Sequence, residues 1–338
     1  MPESQALHKL STNLSTLGAA VLSLFLLLGF IPGSYIFELA GFLRLPATLL
    51  LAALLTTMTA LKARKRALVL LPVFILSAFS YFQLFLPHSI RAGQEDRAAQ
   101  QRGAANTADM HNFTILTFNA EAKNNKDYLG LAEMLDRHSP DIVALQGLTK
   151  PWIAMMEHGL KGYPYNCQAI EEQGIALYSR LPIQTSEIHY FGHNRHPRLI
   201  ATLNIAGRPI HVFVANPSGP KSQLDFEERN AELELILKEL KACTGAKILA
   251  GDLNTAPWAA NFNHLYEANI YDSAEGFGPQ SSWPARGGRL IPHLFIPPVV
   301  PIDHVLLSEH FKVTERKAGP AIGSDHLPVI VKTQLLAH

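Results

Sequence analysis

Three long apolar runs crowd the first ninety residues, and they restrict what this chain can fold into more than any later feature. They are LGAAVLSLFLLLGFI at 17–31, PATLLLAALLTTMTAL at 46–61 and ALVLLPVFILSAFSYFQLFL at 67–86. A helix rises about 1.5 Å per residue, so crossing a hydrocarbon core of about 30 Å takes about 20 residues. The third run meets that length alone; the first two meet it with a few flanking residues. None has the polar face of a helix packed in a water-soluble bundle. The sequence predicts three transmembrane helices, at about 14–32, 45–61 and 67–86. A cleaved signal peptide competes for the first run, but no small-residue cleavage motif follows it. Glu38 and Arg44 lie between the first two runs. Charge at the bilayer centre is costly, so that piece is expected at an interface.

Orientation follows from Lys62, Arg64, Lys65 and Arg66, crowded into the short loop between the second and third runs. Positive loops stay cytoplasmic. The rest of the chain then lies on the periplasmic or extracellular side of a bacterial inner membrane. Residues 1–87 form the membrane region. Residues 88–111 are polar, with no apolar stripe, and read as a flexible linker.

A domain at 112–338 follows, with short β-branched strands alternating with helices. FTILTFNA, DIVALQ, GIALYSR, RLIATLNI, RPIHVFVAN, AKILAGDLN, IDHVLLS and HLPVIVKT read as strands. KDYLGLAEMLDRH and DFEERNAELELILKELKA carry helical periodicity. This mixture predicts an α/β (α+β) domain of two packed mixed sheets with helices outside. The net charge is only +1, and no basic stripe with interleaved aromatics runs along the domain. Nucleic acid is therefore a disfavoured partner, although a local basic groove would not register in the total. Two cysteines, Cys167 and Cys243, have no zinc-ligand spacing. They pair only in an oxidising compartment.

The informative residues are polar ones at strand ends: Asn119, Asp252, Asn254, Asp303, His304, Asp325 and His326. Each has a plain reading by itself. GDLN can be an Asx turn, SDH can be a cap, and alternation can send one residue of IDH outward. Three such clusters at one rim of a rigid scaffold suit hard cations and phosphate oxygens instead. No serine or cysteine nucleophile stands among them.

In TFNAEAKNNKDY, PDIVALQG, GIALYSRLPI, ILAGDLNTAPWA, SSWP, PIDHVLLS and GSDHLPVIV, taken in order, the chain resembles the endonuclease/exonuclease/phosphatase superfamily. That superfamily has the fold of pancreatic deoxyribonuclease, a four-layer αββα sandwich. The resemblance is strongest to bacterial members with three amino-terminal membrane helices, and covers about 112–333. It implies phosphoester hydrolysis by activated water with a divalent ion, Mg²⁺ or Mn²⁺. It further implies that Asp252 orients or deprotonates the water or helps bind metal. Asn119 and Asn254 would hold phosphate oxygens. His326 would stabilise the transition state, with Asp303 fixing its tautomer. Asp325 would be a carboxylate on the metal side. Ser282 and Trp283 match the piece that walls the site, although Trp283 can equally be packing.

Two positions depart from the family pattern. Gly147 stands where a metal-binding Glu is expected, and Asn216 where a His is expected. A neutral amide cannot deliver a proton, which leaves Asn216 a substrate contact. Glu121, two residues beyond Asn119, would share its face on an extended strand and could supply the missing metal ligand. It can equally be a solvated loop residue. Glu171 and Glu172 are weaker substitutes at a hairpin tip. Two functions stay open: a membrane-tethered, metal-dependent phosphoesterase with an altered site, or an inactive relative that binds a phosphorylated ligand or protein partner. Tethering favours a lipid- or envelope-linked phosphorylated substrate over chromosomal DNA.

Overall fold

The computed structural model describes residues 2–87, 111–170, 173–205, 207–285 and 297–336. The expected linker, but for His111, and both Glu171 and Glu172 lie outside the described residues. The chain divides into a helical unit ending at Gln83 and an α/β unit beginning at Leu84.

The helical unit contains α1 (Pro2–Leu28), α2 (Tyr35–Phe42), α3 (Arg44–Ala60) and α4 (Arg64–Phe82). Ala19, Leu26, Leu51, Leu55 and Met58 pack at its centre. Many other large apolar side chains face outward, among them Leu17, Leu24, Leu50, Val69, Ile75 and Phe79. Among the described residues, two helices, Ser4–Leu28 and Arg64–Phe85, are long and apolar enough to cross a membrane. The expected middle span differs from the other two. Helices α2 and α3 pass the same test only together and bend by 62° at their junction. Arg44 at this bend is buried and donates to the Gly29 carbonyl.

In the α/β unit, β-branched runs separated by Gly and Pro form twelve strands among the described residues. The first sheet contains β1 (His111–Asn119), β2 (Ile142–Leu148), β3 (Tyr165–Ala169), β4 (Gly174–Ser179), β11 (Phe311–Ala318) and β12 (Val329–Leu335). Its order is β11-β12-β1-β2-β4-β3. The second contains β5 (Ile183–Phe191), β6 (His196–Ile205), β7 (Arg208–Ala215), β8 (Ala246–Asp252), β9 (Ile270–Asp272) and β10 (Asp303–Ser308). Its order is β5-β6-β7-β8-β10-β9. Each sheet has one parallel pair, β1 with β2 and β7 with β8. These need helical crossovers, α5 (Tyr128–His138) and α7 (Gln223–Ala242).

Ile115, Ala144, Leu177, Val212, Ile248, Val305 and Val331 fill the space between the sheets. On the outside of the first sheet, Leu131 and Met134 of α5 pack with Trp152 and Met156 of α6 (Lys150–Met156). Helix α7 covers the second sheet with Leu233, Ile236 and Leu240. Its Glu232 and Glu239 meet Arg198 of β6, whose Nη2 lies 2.8 Å from Glu239 Oε1. Ser222 caps α7 by accepting from the Asp225 N–H. Two mixed sheets thus pack face to face between helices, as the sequence pattern anticipates.

Two strand boundaries shift. The strand expected to end at Gln146 continues to Leu148 through a bulge, with Gly147 at φ +64°. The last strand begins at Val329, after Pro328, not at His326.

Candidate active site

Side-chain alternation builds the site. Ile115, Thr117 and Asn119 share the inward face of β1; Ile248, Ala250 and Asp252 share that of β8. The inter-sheet core therefore turns polar at one end of the sandwich. Asp303 pairs directly with Asp252 in the antiparallel β10–β8 ladder, which brings the two carboxylates together. His304, one residue on, points away. Its Nδ1 lies 2.9 Å from Asp272 Oδ2 and its Nε2 3.0 Å from the Thr255 carbonyl. Burial alone would raise the Asp272 pKa, but His304 holds it below the usual carboxylate range.

His326 reaches the carboxylates from the segment before β12. Its Nδ1 donates to Asp303 Oδ2 at 2.9 Å. Its Nε2 is 3.6 Å from Asp252 Oδ2 and 3.7 Å from Asp325 Oδ1. Burial by itself would make the ring less basic, yet Asp303 and Asp252 raise its pKa to about 10. The flanking carboxylates favour the protonated, imidazolium form of the ring. Burial pushes the Asp252 carboxyl up to about 6, against the pull of His326 and two hydrogen bonds. Those bonds come from Asn119 Nδ2 to Oδ2 (2.9 Å) and from the Asn254 N–H to Oδ1 (3.0 Å).

The flanking motifs brace this group. Trp283 Nε1 donates to Asp325 Oδ2 at 3.2 Å. Ser282 Oγ accepts from the Asp303 N–H at 3.3 Å. Ser324, not singled out from sequence, donates to the Asn119 carbonyl (2.7 Å) and accepts from the His326 N–H (3.0 Å). It is the first letter of the SDH motif, so the signal was present. Asn254 has φ +50° and donates through Nδ2 to the Pro217 carbonyl (3.0 Å), with Asn216 Oδ1 at 3.4 Å. Buried Arg229 of α7 holds the Asn254 carbonyl, and His196 Nδ1 donates to the Asn216 carbonyl at 3.1 Å. Neither could be found by motif, because both lie on other elements.

Glu121 does not keep the geometry expected of it. Strand β1 stops at Asn119, and Glu121 turns with φ +45°. Its carboxylate accepts from Asn124 Nδ2, and its N–H donates to Asn119 Oδ1 at 3.2 Å. At Gly147, a Cβ would overlap Asn119 Oδ1 and sit 3.1 Å from the Glu121 nitrogen. The space of the expected glutamate is thus filled by the Asn119 amide. Cys167 and Cys243 are both free thiols.

A divalent ion suits what remains. Ligand atoms of Asp252, Asp303 and His326 lie within 4.8 Å of one another, the one such cluster among the described residues. Asp303 Oδ1 and Asp325 Oδ1 are buried with no hydrogen-bond partner, as carboxylate oxygens meant for a cation would be.

The two-sheet sandwich is a fold shared with proteins of known structure. The chain belongs to the endonuclease/exonuclease/phosphatase family, whose model matches residues 116–326. D. rerio TDP2, solved with a single-strand DNA product, superimposes with a TM-score of 0.56 at 20% identity, over 66% of this chain and 98% of that one. TDP2 from Caenorhabditis elegans gives 0.56 at 14% identity, over 73% and 83%. An endonuclease/exonuclease/phosphatase protein from Beutenbergia cavernae gives 0.52 at 19% identity, over 66% and 72%. No curated protein matches by sequence.

Proposed function

We propose that this protein is a membrane-tethered, divalent-metal-dependent phosphoesterase whose metal site is weakened. The observation that carries the reading is the buried His326–Asp303 pair at 2.9 Å with Asp252 directly across the strand ladder. A charged ring buried among carboxylates has little structural purpose, because such groups are expensive to desolvate. It suits charge that develops on a phosphoryl group.

The residues divide the work as follows. Protonated His326 donates through Nε2 to a phosphoryl oxygen as negative charge grows there. Asp303 keeps the ring oriented. The Asn119 and Asn254 amides, at the ends of β1 and β8, hold the other oxygens. Asp252, with a pKa near 6, orients the attacking water and accepts its proton close to neutral pH. Asp252, Asp325 and the free Oδ1 of Asp303 would hold Mg²⁺ or Mn²⁺, both oxygen-seeking ions; when bound, the ion neutralises charge on the phosphoryl group. His326 is committed to Asp303 as a cation and is a poor ligand. Glu121 is bonded to Asn124 and turned out of the strand, which removes the support for it as a substitute ligand. Without a carboxylate at Gly147, affinity for the ion should be at least ~10–100-fold weaker than in a full site.

Residues 1–87 would anchor the protein by two or three spans, with the charged α3–α4 loop cytoplasmic and 112–338 periplasmic. That placement favours phosphate on lipids or envelope components as substrate. The second reading, a binding module for a phosphorylated ligand, draws on the Asn119 amide that fills the Gly147 space and on the neutral Asn216. The test uses the full chain in detergent, with Mg²⁺ or Mn²⁺, on phosphomonoesters, phosphodiesters, a lipid phosphate and single-stranded DNA. Turnover lost in Asp252→Asn and His326→Gln supports the enzyme. Binding of phosphorylated ligands without turnover of any substrate would move the assignment to the binding module.

A further inference from the structure

We propose that Arg316 is a positioning residue for the His326–Asp303 pair; this rests on the phosphoesterase reading above. Arg316 lies on β11, an edge strand of the first sheet, and belongs to none of the strand-end motifs. It is nevertheless only 2% exposed. Its guanidinium reaches to the second sheet. Nε donates to Ser273 Oγ (3.3 Å), Nη1 to Gln280 Oε1 (3.0 Å) and Nη2 to the carbonyl of Asp303 (3.4 Å). Gln280 returns the contact, donating through Nε2 to the Arg316 carbonyl at 2.8 Å.

A buried guanidinium is an expensive way to join two sheets, since well-packed apolar side chains do so with no charge to desolvate. Its position explains the expense. Asp303 has a carboxylate oxygen with no hydrogen-bond partner and a second one bound to His326. Arg316 places a fixed positive charge near both Asp272, its stronger electrostatic partner, and Asp303, and a donor on the Asp303 backbone. On the opposite face of β10, His304 is clamped between Asp272 and the Thr255 carbonyl. The strand is therefore held at His304 and, through a long contact to its backbone, at the neighbouring Asp303 that must aim its carboxylate at His326. A misplacement of about 1 Å at such a point costs about 100-fold in rate. The long 3.3 and 3.4 Å contacts make the Gln280 bond the one that fixes the guanidinium plane.

The experiment uses the full chain with two independent readouts. One is kcat and KM on whichever phosphoester the wild type turns over. The other is the low-field ring N–H proton resonance of His326, identified by its loss in His326→Gln. Arg316→Gln should lower kcat about 10-fold or more with KM changed less than about twofold, and should shift or broaden that resonance. Arg316→Lys, which keeps the charge, should recover part of both. Unchanged kcat and resonance in Arg316→Gln would overturn the proposal. So would parallel loss of kcat and melting temperature with no recovery by lysine, the mark of a simple brace. If Arg316→Gln does not fold, Gln280→Ala decides: a shifted resonance with lowered kcat supports the role, and an unchanged pair refutes it. A wild type that turns over nothing counts against the phosphoesterase reading alone, and the resonance then decides on Arg316.

Discussion

Gly147 offers the sharpest test of how this site is built, because the structure makes it a filled position and not a gap. Consider Gly147→Ala. The backbone there sits at φ +64°, a left-handed conformation that costs a residue other than glycine about 1–3 kcal/mol. The new Cβ would also overlap Asn119 Oδ1, so the amide must rotate. Rotation breaks its 2.9 Å bond to the Asp252 carboxylate, of a kind worth about 1.5–3 kcal/mol. The two effects together predict a loss of about 2.5–6 kcal/mol. At about 2–4 °C per kcal/mol for a domain of this size, the melting temperature should fall by roughly 5–24 °C. Tryptophan fluorescence during thermal melting of the full chain reads this directly. A double-mutant cycle isolates the steric part: once Asn119→Ala removes the blocking amide, Gly147→Ala should cost about 1.5–3 kcal/mol less than in the wild type. A Gly147→Ala melting temperature equal to wild type, or additive effects in the cycle, would show that Asn119 does not occupy that space. The same geometry implies that Gly147→Glu alone will not regenerate a metal site.

His326→Gln should lower kcat by about 10²–10⁴-fold in steady-state assays, with the melting curve showing that the fold is retained. Burial raises the Glu232 pKa from 4.5 to about 7, Arg198 opposing and Glu239 and Glu228 assisting. Raised in the folded state, this group gives stability that is complete below pH 4.5 and lost as pH rises through about 7. Wild type should therefore gain stability relative to Glu232→Gln as pH falls from about 8 to 5, by up to about 3 kcal/mol in urea unfolding. A cysteine replacing Lys65, with Cys167 and Cys243 changed to Ser, should react with a membrane-impermeant maleimide only after cells are permeabilised. Titrating Mn²⁺ into the wild type and Asp325→Asn should give weaker binding in the variant, by about 10-fold or more.

The strands that the sequence revealed and those it concealed divide along a physical line. Those read from pattern, such as β1, β2, β7, β8, β10 and β12, are mostly buried and rich in apolar residues. The four missed, β3, β5, β9 and β11, are the edges of the two sheets. An edge strand is half solvated and needs no apolar run; Ile183–Phe191, mostly exposed, shows none. The site divides in the same way. Asp252, Asp303, Asp325 and His326 stand at recognisable strand ends. Arg229 and Arg316 serve the site from a helix and an edge strand, where no local pattern marks them. Glu121 shows the limit from the other side. Two-residue spacing implies a shared face only while the strand continues, and β1 ends at Asn119.

The sequence by itself determined that apolar helices precede an α/β domain, which strands form the inner sheets, and that polar residues gather at their ends. Hydrophobic period and turn residues are local properties, written within a few neighbouring positions. Tertiary structure alone decided that the middle apolar run bends, that His304 faces away while Asp303 faces His326, and that the Asn119 amide fills the space beside Gly147. Those outcomes depend on which strands pair and in what register, and contacts between residues 133 or 207 positions apart, such as Asn119 with Asp252 and with His326, cannot be read from neighbours in the chain.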